Sequence, residues 1–235
     1  MTIRTVFPPL LGLGLLLAMQ AAVAATPTAF TATYNVSQGG EPMGVATVTL
    51  RPAGNGEWTY NKDVKSTGGL AAMLGASMTE SSRFRWKGDV PEAIGYDYQL
   101  QTGIKNKQRH LTVDWTKNQV TVDEGKGPQT YPASPGMVER NTTALALGLA
   151  LRDGSQQVTL PVAVRQQVQT QSFKVTGKEA VKVPAGSFTA ERIDRTDAER
   201  GFSAWYVPAR YPLPVKLSQH DGGDLTMELV SYKTD

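Results

Sequence analysis

The sequence predicts a mainly β protein: a curled antiparallel meander (barrel or half-barrel) of about ten strands, with one buried helix and one short helical segment. Three observations predict it. Apolar and polar residues alternate through most of the chain, compact turn sequences separate the alternating runs, and only two segments break the period of two.

The N-terminus stands apart from this pattern. Arg4 is the only charge before Ala25, a leucine-rich run spans Leu10 to Ala18, and the segment closes on Ala21-Ala22-Val23-Ala24-Ala25. A basic start, a short apolar run and an A-x-A end make a secretory signal peptide. Residues 1–25 are expected to be cleaved, after Ala24 or Ala25, leaving 26–235 as a single β-rich exported domain. An uncleaved anchor is the competing reading, since Phe7 to Ala25 is nearly apolar, but Pro8, Pro9 and Gln20 interrupt it. The chain has no cysteine. Disulfides are therefore excluded, as is a lipidated cysteine at the cleavage site. The expected mature protein is periplasmic and soluble, is not a lipoprotein, and has no stable membrane anchor. The full chain's 24 basic and 21 acidic residues give a net charge of +3, and losing Arg4 with the signal leaves +2. That charge is dispersed, so no nucleic-acid partner is expected.

The alternating runs follow in order. Phe30, Ala32, Tyr34 and Val36 share a face, as do Ala46, Val48 and Leu50, then Trp58 and Tyr60. Ile94, Tyr96, Tyr98 and Leu100 oppose Gly95, Asp97, Gln99 and Gln101, and Leu111, Val113 and Trp115 oppose His110, Thr112 and Asp114. Val158 to Val164, Leu213 to Leu217 and Leu225 to Leu229 repeat the pattern. One wet face and one apolar face is the antiparallel signature. Gly39-Gly40, Gly54-Asn55-Gly56, Gly88-Asp89, Lys117-Asn118, Gly125-Lys126-Gly127 and Asp221-Gly222-Gly223 read as turns.

Gly69 to Ala76 is short and rich in Ala and Leu, giving the short helical segment. Asn141 to Arg152 is the stronger helix: Asn141 or Thr142 caps it, Thr143 to Leu151 propagates it, and Asp153-Gly154 ends it. It is apolar nearly all round and must be buried on more than one side. Two short helices cannot cover so many strands, so the sheet must curl over them. The interior is then either a cavity for a lipid-like or other amphiphilic ligand, or a packed core.

By phase, Trp58, Tyr60, Trp86, Tyr96, Tyr98 and Trp115 point to the apolar face. Together with Leu145 and Leu149 of the helix, and with Trp205 and Tyr206 of a strand apolar on both sides, they are the candidate cavity lining. Arg83, Arg85 and Lys87 share one strand face, and Lys105, Lys107 and Arg109 share another. These six form a candidate cationic patch for an anionic head group; the bland reading is a solvated face that deters edge pairing. Chemistry is poorly supplied. His110 and His220 are the only histidines, so neither a metal nor a cofactor is expected. Ser187 follows a glycine in a Pro-Ala-Gly-Ser turn without a nucleophile elbow, and Asp114, Asp123, Asp194 and Asp197 lie on wet faces or near turns. The balance leans away from an enzyme.

The C-terminal third carries a recognisable texture: Phe173-Lys174-Val175-Thr176-Gly177-Lys178-Glu179, then Val183-Pro184-Ala185-Gly186-Ser187-Phe188, Ala204-Trp205-Tyr206-Val207-Pro208 and Leu213-Pro214-Val215-Lys216-Leu217. With Phe30-x-Ala-x-Tyr34 and Gly44 at the mature start, this resembles the bacterial exported family catalogued as domain of unknown function 3108 (DUF3108). The resemblance covers nearly the whole mature chain. It implies a Gram-negative envelope protein with a β-rich fold and no established activity, and it carries over no functional residues. The leading expectation is a binding or carrier module for a hydrophobic or amphiphilic ligand on the concave face. The alternative is an envelope assembly or interaction protein with a packed core, and a hydrolase without a recognisable motif ranks third.

Overall fold

The computed structural model describes residues 27–235 apart from 69–71, 73–74, 104, 199–200 and 221–223. The expected signal peptide, and most of the short helical segment expected at Gly69–Ala76, lie outside the described residues. In chain order the strands are β1 (Phe30–Gln38), β2 (Glu41–Gly54), β3 (Glu57–Ser66), β4 (Ser77–Lys87), β5 (Val90–Gln101), β6 (Asn106–Asp114), β7 (Gln119–Asp123), β8 (Gln129–Pro132) and β9 (Val138–Glu139). The helix α1 (Thr143–Arg152) follows, then β10 (Gln157–Ala163), β11 (Val168–Val183), β12 (Gly186–Arg195), β13 (Phe202–Tyr206), β14 (Lys216–Gln219) and β15 (Leu225–Thr234).

All belong to one fifteen-stranded sheet, ordered β8-β7-β6-β5-β4-β3-β2-β1-β15-β14-β13-β12-β11-β10-β9. Two meanders are thus joined where the first strand of the chain pairs with the last, Phe30 opposite Thr234. Among the described residues every strand pairing is antiparallel except β9 with β10. The expected count of about ten strands is too low. β8 and β9 are four and two residues long, too short to show a period. β4 hides its own period, because Glu80 and Ser82 occupy inward positions beside Phe84. Asn55-Gly56 joins β2 to β3 with positive φ at both residues, the geometry a tight hairpin needs.

The sheet curls without closing into a barrel. β5 is shared: Gly95–Gln101 pairs with β6. Lower down, Ala93 instead donates its N–H to Met137 O (2.9 Å) and accepts Trp115 Nε1–H (3.0 Å). Met137, just before the short β9, therefore reaches β5 with one backbone bond, and no ladder pairs β9 with β5 among the described residues. Tyr131 on β8 donates to Val164 O beyond β10 (2.5 Å), which brings the two ends of the sheet together.

α1 lies inside the curl. Leu145 and Leu149, both fully buried, pack with Phe30, Tyr34, Leu50, Tyr60 and Phe84. Ala146, Leu147 and Leu151 pack on the other side with Val158, Leu160, Phe173, Ile193 and Tyr206. A third cluster joins Tyr96, Leu111, Val120, Val122 and Tyr131 to Met137 and Ala163. An all-apolar helix is what a position between two such walls requires. Its end is as expected: Gly154 has positive φ and returns its N–H to Leu151 O (3.0 Å). Its start is not. Thr142 is the N-cap but its side chain makes no cap bond. The Glu139 carboxylate instead accepts the Asn141 (2.7 Å) and Thr142 (3.2 Å) N–H groups at the turn into the helix.

Candidate functional site

Strand register divides the six candidate cations between opposite faces. Ser82 faces Tyr96 across β4 and β5, so Arg83, one residue on and opposite Gly95, points outward. Arg83 pairs with Glu57 at 3.8 Å, while Arg85 and Lys87 converge on Glu92 at 2.8 and 3.0 Å. On β6, Lys107, Arg109 and Leu111 oppose Leu100, Tyr98 and Tyr96, which puts them on the concave face. Lys105 sits at the turn between β5 and β6, where its N–H is held by Thr102 Oγ1 (2.9 Å).

The concave cations open onto a cleft of about 800 Å³ at the end of the β5–β6 hairpin. Lys105, Lys107 and Arg109 form one wall, with Lys126, Arg140 and Arg165 arriving from other parts of the chain. Among the described residues, six cations thus face one carboxylate, Glu124. Arg109 reaches Glu124 through Nε (2.7 Å) and Nη2 (2.6 Å), and Arg165 through Nε (2.8 Å) and Nη2 (2.7 Å). These bonds, the Arg165 hydrogen bond first, hold the Glu124 carboxyl below its ordinary value. Lys105, Lys107 and Lys126 make no ion pair among the described residues. Three unmatched positive charges around one concavity favour an anionic occupant.

Arg140 is the floor. Its guanidinium stacks over Tyr98 (5.9 Å to the ring centroid), and its Nε lies 3.4 Å from Glu80 Oε1. Glu80 is fully buried; it pairs also with Lys62 and accepts the Tyr96 hydroxyl (2.6 Å). Burial pushes its carboxyl up, but Lys62 and Arg140 outweigh burial and hold it below its ordinary 4.5. Glu139, equally buried, is raised, because desolvation there exceeds the hydrogen bonds from Ser82, Thr142 and Asn141. Asn141 extends the network by donating to Tyr60 O (3.1 Å) and Ser82 Oγ (2.9 Å).

Among the apolar candidates, Tyr98 alone lines the cleft. Tyr60, Tyr96, Leu145, Leu149 and Tyr206 are buried in the core; Tyr206 donates to Ala144 O (2.8 Å). Trp58 and Trp86 pack edge to face at 6.0 Å. Trp115 lies beneath Arg85 (5.6 Å). Trp205 is on the outer face between Arg192 (5.4 Å) and Lys216 (5.6 Å), donating to Glu179 (2.7 Å). Sequence reasoning missed Lys62, Glu80, Glu124, Lys126, Glu139, Arg140, Asn141 and Arg165. The available signal was polar residues at the core phase of β4, Glu80 and Ser82 between Met78 and Phe84.

A smaller depression of about 370 Å³ on the outer face contains His110, Asp97 and Asp123, with His110 Nδ1 2.5 Å from Asp97. No group of three or more His, Cys, Asp or Glu among the described residues could hold a metal. No helix among them is long and apolar enough to cross a membrane.

The fold is similar to the crystal structure of a beta-barrel-like protein of domain of unknown function DUF1849 from Brucella abortus. The TM-score is 0.58 at 11% identity, covering 90% of this chain and 100% of that one. At that identity the likeness concerns the fold alone. No curated protein matches this chain. Residues 33–230 match the family described as "Protein of unknown function (DUF3108)", and the chain belongs to that family.

Proposed function

We propose that this protein is an exported, periplasmic binding module for an amphiphile with an anionic head, held at the mouth of the concave face. The observation that carries the reading is the cleft, where six cations face one carboxylate beside the Tyr98 ring. An apolar neighbourhood adjoins it. Met78, Leu100 and Lys107 form one cross-strand row on the concave side, and both Met78 and Leu100 are half-buried. The head lies in the cleft among Lys105, Lys107, Arg109, Lys126, Arg140 and Arg165, and the chain lies along Tyr98, Leu100 and Met78. Deeper in the curl, α1 and the Leu145 and Leu149 side chains take up the space. The apolar tail therefore rests on the concave surface near its mouth. Export is supported by the composition of residues 1–25.

The test is titration with decyl phosphate below its micellar concentration, with decyl maltoside as the neutral control. Each lysine is worth about 1 kcal/mol toward an anionic head group. The triple variant Lys105→Ala/Lys107→Ala/Lys126→Ala is therefore expected to bind about a hundredfold more weakly, with its urea midpoint unchanged. Equal affinity in the variant and the parent sinks the reading. It would then favour the alternative, an envelope interaction module with a packed core, for which the three buried clusters are the support.

A further inference from the structure

We infer that Glu124 holds the place of the ligand's anionic group, and that the cleft selects a dianionic phosphate monoester able to take Arg109 and Arg165 from it. The inference rests on the anion-binding reading of the cleft. Two arginines from distant parts of the chain, one on β6 and one on the turn after β10, converge on this single carboxylate. Arg165 grips both of its oxygens side-on, Nε to Oε1 and Nη2 to Oε2. That planar fork fits a phosphate as well as it fits a carboxylate.

Charge decides which ligand gains from the exchange. Two guanidinium groups with Glu124 keep one positive charge. A monoanion replacing Glu124 leaves that balance as it was, whereas a dianion makes it neutral. A phosphate monoester is mostly dianionic above its second pKa of about 6, and it brings three terminal oxygens in place of two. Glu124 is also placed to leave. It follows the last residue of β7 and precedes Gly125, which has positive φ and whose N–H is held by Asp123 Oδ1 (2.7 Å). The carboxylate can turn outward while that turn stays fixed.

The experiment compares decyl phosphate, decyl sulfate and inorganic phosphate by calorimetry at pH 8, using the purified protein and the variants Glu124→Gln and Arg165→Gln. The sulfate matches the phosphate in chain and terminal oxygens but carries one charge. The parent is expected to prefer decyl phosphate by about tenfold, the value of one charge-assisted hydrogen bond. Glu124→Gln is expected to bind both amphiphiles about tenfold more tightly, since no carboxylate has to be displaced, while Arg165→Gln weakens both. Inorganic phosphate binding as tightly as decyl phosphate supports the dianion and makes free phosphate its source. If the parent binds decyl phosphate but Glu124→Gln binds no better, Glu124 is only a tie between the sheet ends. The inference then falls while the proposed function stands. Equal affinity for phosphate and sulfate overturns the dianion selection. Absence of binding in every protein overturns both readings. If Glu124→Gln does not fold, the phosphate-to-sulfate ratio of the parent and of Arg165→Gln decides; a ratio near one in the parent overturns the inference.

Discussion

Replacing Glu80 by alanine is expected to cost about 3–5 kcal/mol of stability, the usual result of removing one partner from a buried ion pair. The Glu80 side chain is wholly buried and serves Lys62, Arg140 and the Tyr96 hydroxyl together. Without it, the Lys62 ammonium, 19% exposed, has no counter-charge and Tyr96 has no acceptor. Arg140 is half exposed and turns to solvent at little cost. Urea unfolding should show a lower midpoint at an unchanged slope. The double replacement Lys62→Met/Glu80→Met should cost less than Glu80→Ala alone, because it leaves no stranded charge. A loss under about 1 kcal/mol for Glu80→Ala would mean the site is wetter than its burial implies. The pH dependence has a definite sign. Because the folded Glu80 carboxyl lies below 4.5, its contribution is complete above that value and is lost as pH falls through the folded pKa. Glu139 is shifted the other way, so its contribution fades as pH rises above the ordinary range. Glu80→Gln should therefore flatten the acid limb of the stability curve, and a limb as steep as the parent's would contradict the assignment.

Gly148→Ala carries the second large effect, and its sign opposes helix propensity. In an exposed helix interior the change adds about 1 kcal/mol of stability. Here a Cβ would stand 2.1 Å from Pro212 O, 2.8 Å from Pro212 C and 3.1 Å from Tyr206 Cε1. The obstacle is backbone, so a rotamer change cannot relieve it. α1 must withdraw, which loosens Leu145 and Leu149 in one cluster and Leu147 in the other. The expected cost is at least about 3 kcal/mol, read as a fall in thermal midpoint. A neutral or stabilised variant would show that α1 sits farther from the 207–215 segment.

Much of this fold was legible because its signals are local. The alternation of Phe30 to Val36 and the parity of Tyr96 and Leu111 read directly as buried faces. The span of α1, its end at Asp153-Gly154 and its burial on two sides followed from composition alone. What was hidden depends on long-range placement. Of the six cations lining the cleft, Lys105, Lys107 and Arg109 are near one another in sequence; Lys126, Arg140 and Arg165 join them because the sheet ends meet. Adjacent residues on two neighbouring strands also share no face unless register aligns them, which is why the row of Arg83, Arg85 and Lys87 is on the other side. Glu80 reads as an ordinary surface carboxylate until Lys62 and Arg140 are seen beside it.

The pairing of β1 with β15 at the middle of the strand order sets a timetable for assembly. Each meander grows by neighbouring hairpins, which close quickly. The joint between them connects Phe30 with Thr234, and that contact must wait for nearly the entire chain to be collected. Synthesis from the N-terminus can let β2 to β8 form early. Those strands stay unseated on their partner half until β15 emerges, so maturation is gated by that strand.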